Sequence, residues 1–127
     1  QGYKQLAKTG KLVVITKSMK DVMCLYSLGI PAIAPNSETQ FVSDKVLEEL
    51  KQRFKYIVLL YDNDLTGVRF TNKIRKQHPE LIVSMIPRNT GAKDISDYYR
   101  DYGRKATQEL IKLTIDKFKR NGILRSN

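Results

Sequence analysis

The sequence predicts an α/β domain built on a compact parallel sheet of about four strands, with helices on both faces and further helices at its C-terminal end. Three observations predict it. Apolar runs of strand length recur along the chain, stretches with a helical period separate them, and glycine, proline or a small polar residue marks most junctions. Strands that alternate with helices pair in parallel through right-handed crossovers, and such strands are buried on both faces.

The elements follow in order. Thr9 and Gly10 form a turn before Leu12 to Thr16, an apolar run that starts the sheet. From Ser18 the period changes: Met19, Val22, Met23 and Tyr26 fall at i, i+3, i+4 and i+7, and Gly29 stands where a helix C-cap belongs. Pro31 to Ala34 is a short strand, followed by the polar connection Pro35-Asn36-Ser37-Glu38. Ser43 opens a second helix, with Val46, Leu47, Leu50 and Phe54 on one face and Glu48 and Glu49 on the other. Ile57 to Tyr61 is the third strand. Gly67 to Gln77 carries Phe70 and Ile74 inward and Arg69, Lys73, Arg75 and Lys76 outward, and His78-Pro79 ends it. Leu81 to Ile86 is predicted as a fourth strand, and Pro87 to Asp94 as a loop rich in turn formers and cations. From Asp94 the chain turns helical through Ile95, Tyr98 and Tyr99 to a stop at Gly103. A last amphipathic helix carries Leu110, Ile111, Thr114 and Phe118, and only the final Arg125 to Asn127 reads as frayed.

With 127 residues, 41% hydrophobic and 28% charged, the chain fits one globular domain able to bury a core. Its single cysteine, Cys24, forms no intramolecular disulfide and excludes a zinc cluster, which points to a reducing, cytoplasmic setting and a buried structural thiol. No apolar run approaches the roughly 20 residues that cross a bilayer, so no membrane is expected. The start, Gln1 to Leu6, carries no signal-peptide pattern, and the lack of an initiating Met points to an excised domain. The net charge of +10 is concentrated at the ends: residues 1–20 hold five Lys and no acid, and residues 104–127 hold seven Lys or Arg against Glu109 and Asp116. Basic ends around a neutral middle point to a polyanion, most simply nucleic acid. A solvated lysine-rich surface is the competing reading.

The chemistry concentrates where the third strand ends on Asp62 and Asp64. Ligands of open α/β sheets bind beyond the strand C-termini, and residues two apart in an extended segment point the same way, so both carboxylates can converge on one hard cation. The competing reading is that Asp64 caps the next helix while Asp62 sits in a polar turn.

Four pieces together carry a resemblance: Lys17-Ser18-Met19-Lys20-Asp21 after the first strand, Gly29 to Ala34, Tyr61-Asp62-Asn63-Asp64-Leu65-Thr66-Gly67, and Ile86-Pro87 with Lys93-Asp94-Ile95-Ser96-Asp97. In that order they resemble the Toprim domain of bacterial-type DNA primases, especially the divergent primase-like proteins of phages and mobile elements. The resemblance divides the chain into a basic extension at 1–10, a Toprim-like domain at 11–103, and a basic C-terminal helix and tail at 104–127. It implies carboxylates that hold Mg²⁺ or Mn²⁺ for nucleotidyl transfer, with Asp62, Asp64 and Asp94 as metal ligands and RNA primer synthesis as the work of the full-length parent. Asp97, one turn after Asp94, either shares the site or faces solvent. Partners implied are single-stranded DNA template, nucleotides and replication proteins such as a helicase, with Lys20, Arg69, Lys73, Arg88 and Lys93 as nucleic-acid contacts. Primases of this kind also carry a basic template-gripping domain and often a zinc module, so the fragment alone is expected to make primers poorly or not at all.

One departure is informative. Toprim domains normally place a glutamate after the first strand, in a Glu-Gly-x-x-Asp pattern, and here that position is Lys17. Either catalysis is lost, or Lys17 contacts phosphate or acts as a general acid, or another acid substitutes. Glu38, at the same sheet edge, is the candidate substitute, against the reading that it is an exposed loop acid. Rival readings are a Toprim-type nuclease, a catalytically inactive nucleic-acid-binding module, and a haloacid-dehalogenase-like phosphatase with Asp62 as nucleophile and Asp64 as acid. The phosphatase motif normally follows the first strand, whereas two strands precede Asp62. A receiver domain phosphorylated on Asp62 explains neither the second aspartate nor the basic ends.

Overall fold

The computed structural model describes Leu6, residues 9–35 and residues 41–126, without the side chains of Arg88 and residues 121–126. The first apolar run forms β1 (Gly10–Thr16), buried from Val13 onward. Helix α1 (Met19–Ser27) starts at Ser18, whose hydroxyl accepts the Asp21 N–H, and ends before Gly29, where a φ of 78° suits the residue without a Cβ. Strand β2 (Ala32–Ile33) is short. Helix α2 (Asp44–Arg53), capped by Ser43, runs without a loop into β3 (Phe54–Leu60). Helix α3 (Leu65–Gln77), β4 (Ile82–Val83) and a single 3₁₀ turn at Arg88–Thr90 follow. Helix α4 (Ile95–Ser126) is broken at Gly103, which sits at φ 88° and ψ −177°, a region open essentially to glycine alone.

All four strands are parallel, in the order β2-β1-β3-β4, so the two longest occupy the centre. In this ladder Gly10 pairs with Phe54 and Thr16 with Leu60. Alternate residues then feed two cores. Val14 and Val58 pack with Val22 and Leu25 of α1 and Ile95, Ile111 and Ile115 of α4. Val13, Ile15, Ile57 and Leu59 pack on the other face with Leu47 and Leu50 of α2 and Ile74 of α3. Full burial of one such side chain contributes about 1.5–3 kcal/mol, which is why the central strands read as unbroken apolar runs. The parallel sheet with helices on both faces is therefore as the sequence predicts.

Several boundaries move. The fourth strand shrinks from Leu81–Ile86 to two residues, because after Ser84 N donates to Leu59 O the chain turns away, with Ser84 Oγ bonded to Thr114 Oγ1 and Ile86 buried against α4. Phe54, placed on a helix face by its spacing, opens β3 instead. Helix α3 begins at Leu65 rather than Gly67. Of the stripe Met19, Val22, Met23 and Tyr26, Val22 is buried and Met19 and Tyr26 pack against the core, but Met23 is 64% exposed, and Asp21 and Leu25 are buried in addition. Cys24 is half-buried rather than buried. No helix among the described residues is long and apolar enough to cross a membrane.

Candidate metal centre

Because Thr16 pairs with Leu60, β1 and β3 end side by side, and Lys17 and Asp62 leave the sheet together. The Lys17 ammonium donates to Asp62 Oδ2 at 3.3 Å. Asp62 is only 7% exposed. Its neighbours there are Asp21, in the first turn of α1, and Asp94, just before α4. One oxygen from each of these three carboxylates lies within 4.8 Å of the others. Three separate elements thus converge on one point at the carboxyl edge of the sheet.

Each carboxylate is held differently. Asp21 is buried and accepts the Ser96 hydroxyl at Oδ1 (2.6 Å) and the Thr16 hydroxyl at Oδ2 (3.3 Å). Burial pushes its carboxyl above the ordinary range; the charges of Asp94 and Asp62 push the same way, and the Ser96 hydrogen bond opposes them. Asp94 Oδ1 accepts the Asp97 N–H at 2.9 Å, and its Oδ2 lies 3.3 Å from Lys20 Nζ. That hydrogen bond raises the Lys20 ammonium above its usual range. Lys93 reaches toward both remaining acids, 4.0 Å from Asp62 Oδ2 and 3.4 Å from Asp64 Oδ2. Negative charge is thus answered by three lysines whose side chains are more than half exposed.

The loop after β3 is fixed by close backbone contacts. Asn63 N donates to Lys93 O at 2.7 Å, which ties the Asp62 loop to the Asp94 loop. Asn63 Oδ1 is buried without a hydrogen-bond partner. Gly67 admits no side chain, since a Cβ there would stand 2.1 Å from Asp62 O and 3.1 Å from Asp64 Oδ1. Asp64 Oδ1 accepts the Gly67 N–H at 2.7 Å and caps α3, and this hydrogen bond holds the Asp64 carboxyl below the ordinary range.

The structure therefore brings Asp62, Asp94, Lys17, Lys20 and Lys93 into one centre, with Asp64 at its rim as a helix cap. Asp97 lies outside the triad, accepting Lys93 N and pairing with Arg100. Arg69 and Lys73 are exposed, one turn apart on α3, and line a shallow depression with Lys76. Arg88 lies in the 3₁₀ turn, where only its backbone is described. Glu38 lies outside the described residues. Asp21 was not singled out as a ligand by its residue type, although it is the aspartate of the pattern that begins at Lys17. Three hard oxygen donors in this arrangement suit a divalent cation such as Mg²⁺ or Mn²⁺.

A profile described as Toprim-like matches residues 14–99. A DNA primase of Enterococcus faecalis is 26% identical over 117 residues, covering 86% of this chain and 18% of the primase. Among solved structures, similarity extends to a chain in the assembly of bacteriophage T7 lagging-strand DNA polymerase with primase domains of two gp4 subunits bound to an RNA/DNA hybrid and dTTP. That match has a TM-score of 0.57 at 20% identity, and covers 77% of this chain and 54% of that one. The chain thus spans under a fifth of the primase and about half of the solved chain.

Proposed function

The chain belongs to the Toprim-like family, and from that premise we propose that it is the Toprim domain of a primase-like protein and provides the metal-dependent nucleotidyl-transfer centre of its parent. The observation that carries this reading is the convergence of Asp21, Asp62 and Asp94 within 4.8 Å. Three carboxylates this close repel one another, and a divalent cation relieves the repulsion. Asp21, Asp62 and Asp94 would hold Mg²⁺ or Mn²⁺, with Asp64 adding charge at the rim. When bound, such an ion polarises a phosphoryl oxygen and offsets the charge that develops during transfer.

The protein's own groups do the positioning. Ser96 and Thr16 orient both oxygens of Asp21. Lys17, Lys20 and Lys93, whose side chains are more than half exposed, would exchange carboxylate partners for phosphate oxygens when a nucleotide arrives. Arg69, Lys73 and Arg88 extend the positive surface toward a single-stranded template. The relatives support such partners: one is a DNA primase, and the solved assembly holds an RNA/DNA hybrid and a polymerase. A cytoplasmic setting follows from the same reading.

The Lys17–Asp62 ion pair favours a second reading, a nucleic-acid-binding module that has lost catalysis. Mn²⁺ titration separates the two. Wild type should bind weakly and Asp62→Asn with Asp94→Asn should lose at least about tenfold in affinity, the scale of change expected around metal ligands. Identical isotherms would overturn the metal reading. Primer synthesis by the full-length parent, lost in the same double variant, tests the catalytic step.

A further inference from the structure

The end of the sheet opposite the carboxylates gathers lysines that form no ion pair among the described residues. Lys11 and Lys55 face each other in the β1–β3 ladder, because their neighbours pair as Gly10 with Phe54 and Leu12 with Tyr56. Both are exposed. Adjacent strands lie about 4.8 Å apart, and like charges directly opposite repel. A third ammonium arrives from distant sequence: Lys119 of α4 lies 5.3 Å from the centroid of the Tyr56 ring, and Lys55 lies 5.4 Å from the same centroid. One ring attracts both cations but neutralises neither. Among the described residues none of these three lysines pairs with a carboxylate, in contrast to Lys17, Lys20 and Lys93 at the other end.

We propose that Lys55 and Lys119, both against the Tyr56 ring, together with Lys11 opposite Lys55 in the ladder, form a second contact for nucleic-acid phosphates, separate from the carboxylate centre. The proposal rests on the nucleic-acid reading above and adds a location to it. A strand of seven residues is about 20 Å long, so a polynucleotide touching both ends needs about six nucleotides where it is stacked as in a duplex, at 3.4 Å each, and fewer where it is extended. The cluster anchors the strand while the carboxylate end works on it. A nucleic acid suits the cluster better than a membrane, since Asp116 shares a depression with Lys119 and Leu113 and would meet a continuous anionic surface directly. A strand presents discrete phosphates that can be met one at a time.

Fluorescence anisotropy with a labelled single-stranded 20-mer in EDTA, over a range of salt, tests the proposal. Relative to wild type, the variant Lys11→Gln with Lys55→Gln and Lys119→Gln should lower the slope of log affinity against log salt by about two, from about 0.7 per phosphate on single strands. Its Mn²⁺ affinity and melting temperature should not fall, because the substitutions leave the carboxylates alone and relieve repulsion. Length dependence should also weaken: wild type should gain affinity between a 4-mer and a 10-mer, and the variant should gain less. Tight wild-type binding with the same slope in both proteins overturns the second contact alone. No wild-type binding at any salt overturns the nucleic-acid reading with it. Unchanged oligonucleotide binding, with loss of binding to phosphatidylserine vesicles, would overturn it in favour of a membrane surface.

Discussion

Lys17 Nζ stands 3.3 Å from Asp62 Oδ2, joining the ends of the two central strands by an ion pair where the family pattern places a glutamate. The lysine supplies positive charge at the place a metal would supply it, and the two compete. Lys17→Glu removes the competitor and adds a ligand. Its Mg²⁺ affinity should rise by about tenfold, while its stability without metal should fall through carboxylate repulsion. Lys17→Ala should lie between. Melting curves of all three proteins with and without Mg²⁺ decide the matter, and a Lys17→Glu protein that gains no more from Mg²⁺ than wild type would sink the idea.

Ser96 should act through Asp21. Its hydroxyl donates to a buried carboxylate at 2.6 Å, and hydrogen bonds to charged groups are worth about 1.5–3 kcal/mol. Ser96→Ala should therefore lose stability on that order and weaken Mn²⁺ binding, whereas Ser96→Thr, which keeps the hydroxyl, should restore most of both. Denaturant melts paired with Mn²⁺ titration give the answer. Equal metal affinity in all three proteins would make Ser96 purely structural.

Gly67→Ala should be among the costly single-methyl additions in the chain. The new Cβ would meet Asp62 O at 2.1 Å and Asp62 C at 2.9 Å, and because both are backbone atoms the turn itself would have to shift. A loss of about 3 kcal/mol is expected, at the top of the usual overpacking range. Urea denaturation measures it, and a loss under about 0.5 kcal/mol, within the usual spread of surface substitutions, would show that the loop yields.

A pH effect should come from Glu80, whose carboxyl the Lys51 ammonium holds below the ordinary range, with backbone and His78 contributions in the same direction. Lys51 is raised in turn, chiefly by Glu80 and also by Glu48. A lowered carboxyl stabilises the fold above its unfolded value and loses that contribution as pH falls through the folded value; a raised ammonium does so below its unfolded value. The pair is therefore fully effective between about pH 4.5 and 10.5. Glu80→Gln should cost up to about 1 kcal/mol at pH 7, as exposed pairs do, and nothing once Glu80 is protonated. Melts of both proteins at pH 7 and pH 3 test the sign, and a gap that widens in acid would contradict it.

How much of this was legible depends on where each residue's surroundings come from. Strands β1 and β3 were legible because burial on both faces leaves a continuous apolar run. Strand β4 was not, since nothing local says that Ser84 will turn toward Thr114 and end the ladder. Asp62 stood out through its place at a strand end, and Asp94 through the loop that carries it. Asp21 did not, because an acid in the first turn of a helix is ordinary. Its burial beside Ser96, seventy-five residues on, is a property of the packed fold. Gly67 is legible as part of the motif that begins at Tyr61, but the need for it rests on the backbone of Asp62, a distance no spacing contains.

The strand order has a consequence in time. β1 and β3 are neighbours in the sheet, yet α1, β2 and α2 lie between them in the chain. Parallel pairing over such a separation is slow, because the intervening chain must be ordered before the contact can form. Of the three carboxylates only Asp21 lies in that intervening chain; Asp62 follows β3 and Asp94 precedes α4, so the three meet only after all of these elements have packed. On the ribosome, the first two would leave the exit tunnel well before the third, so a nascent chain carries dispersed carboxylates rather than a half-built centre. Appearance of Mn²⁺ binding would then mark the completion of folding, and a stopped-flow trace of it should lag behind the formation of helix.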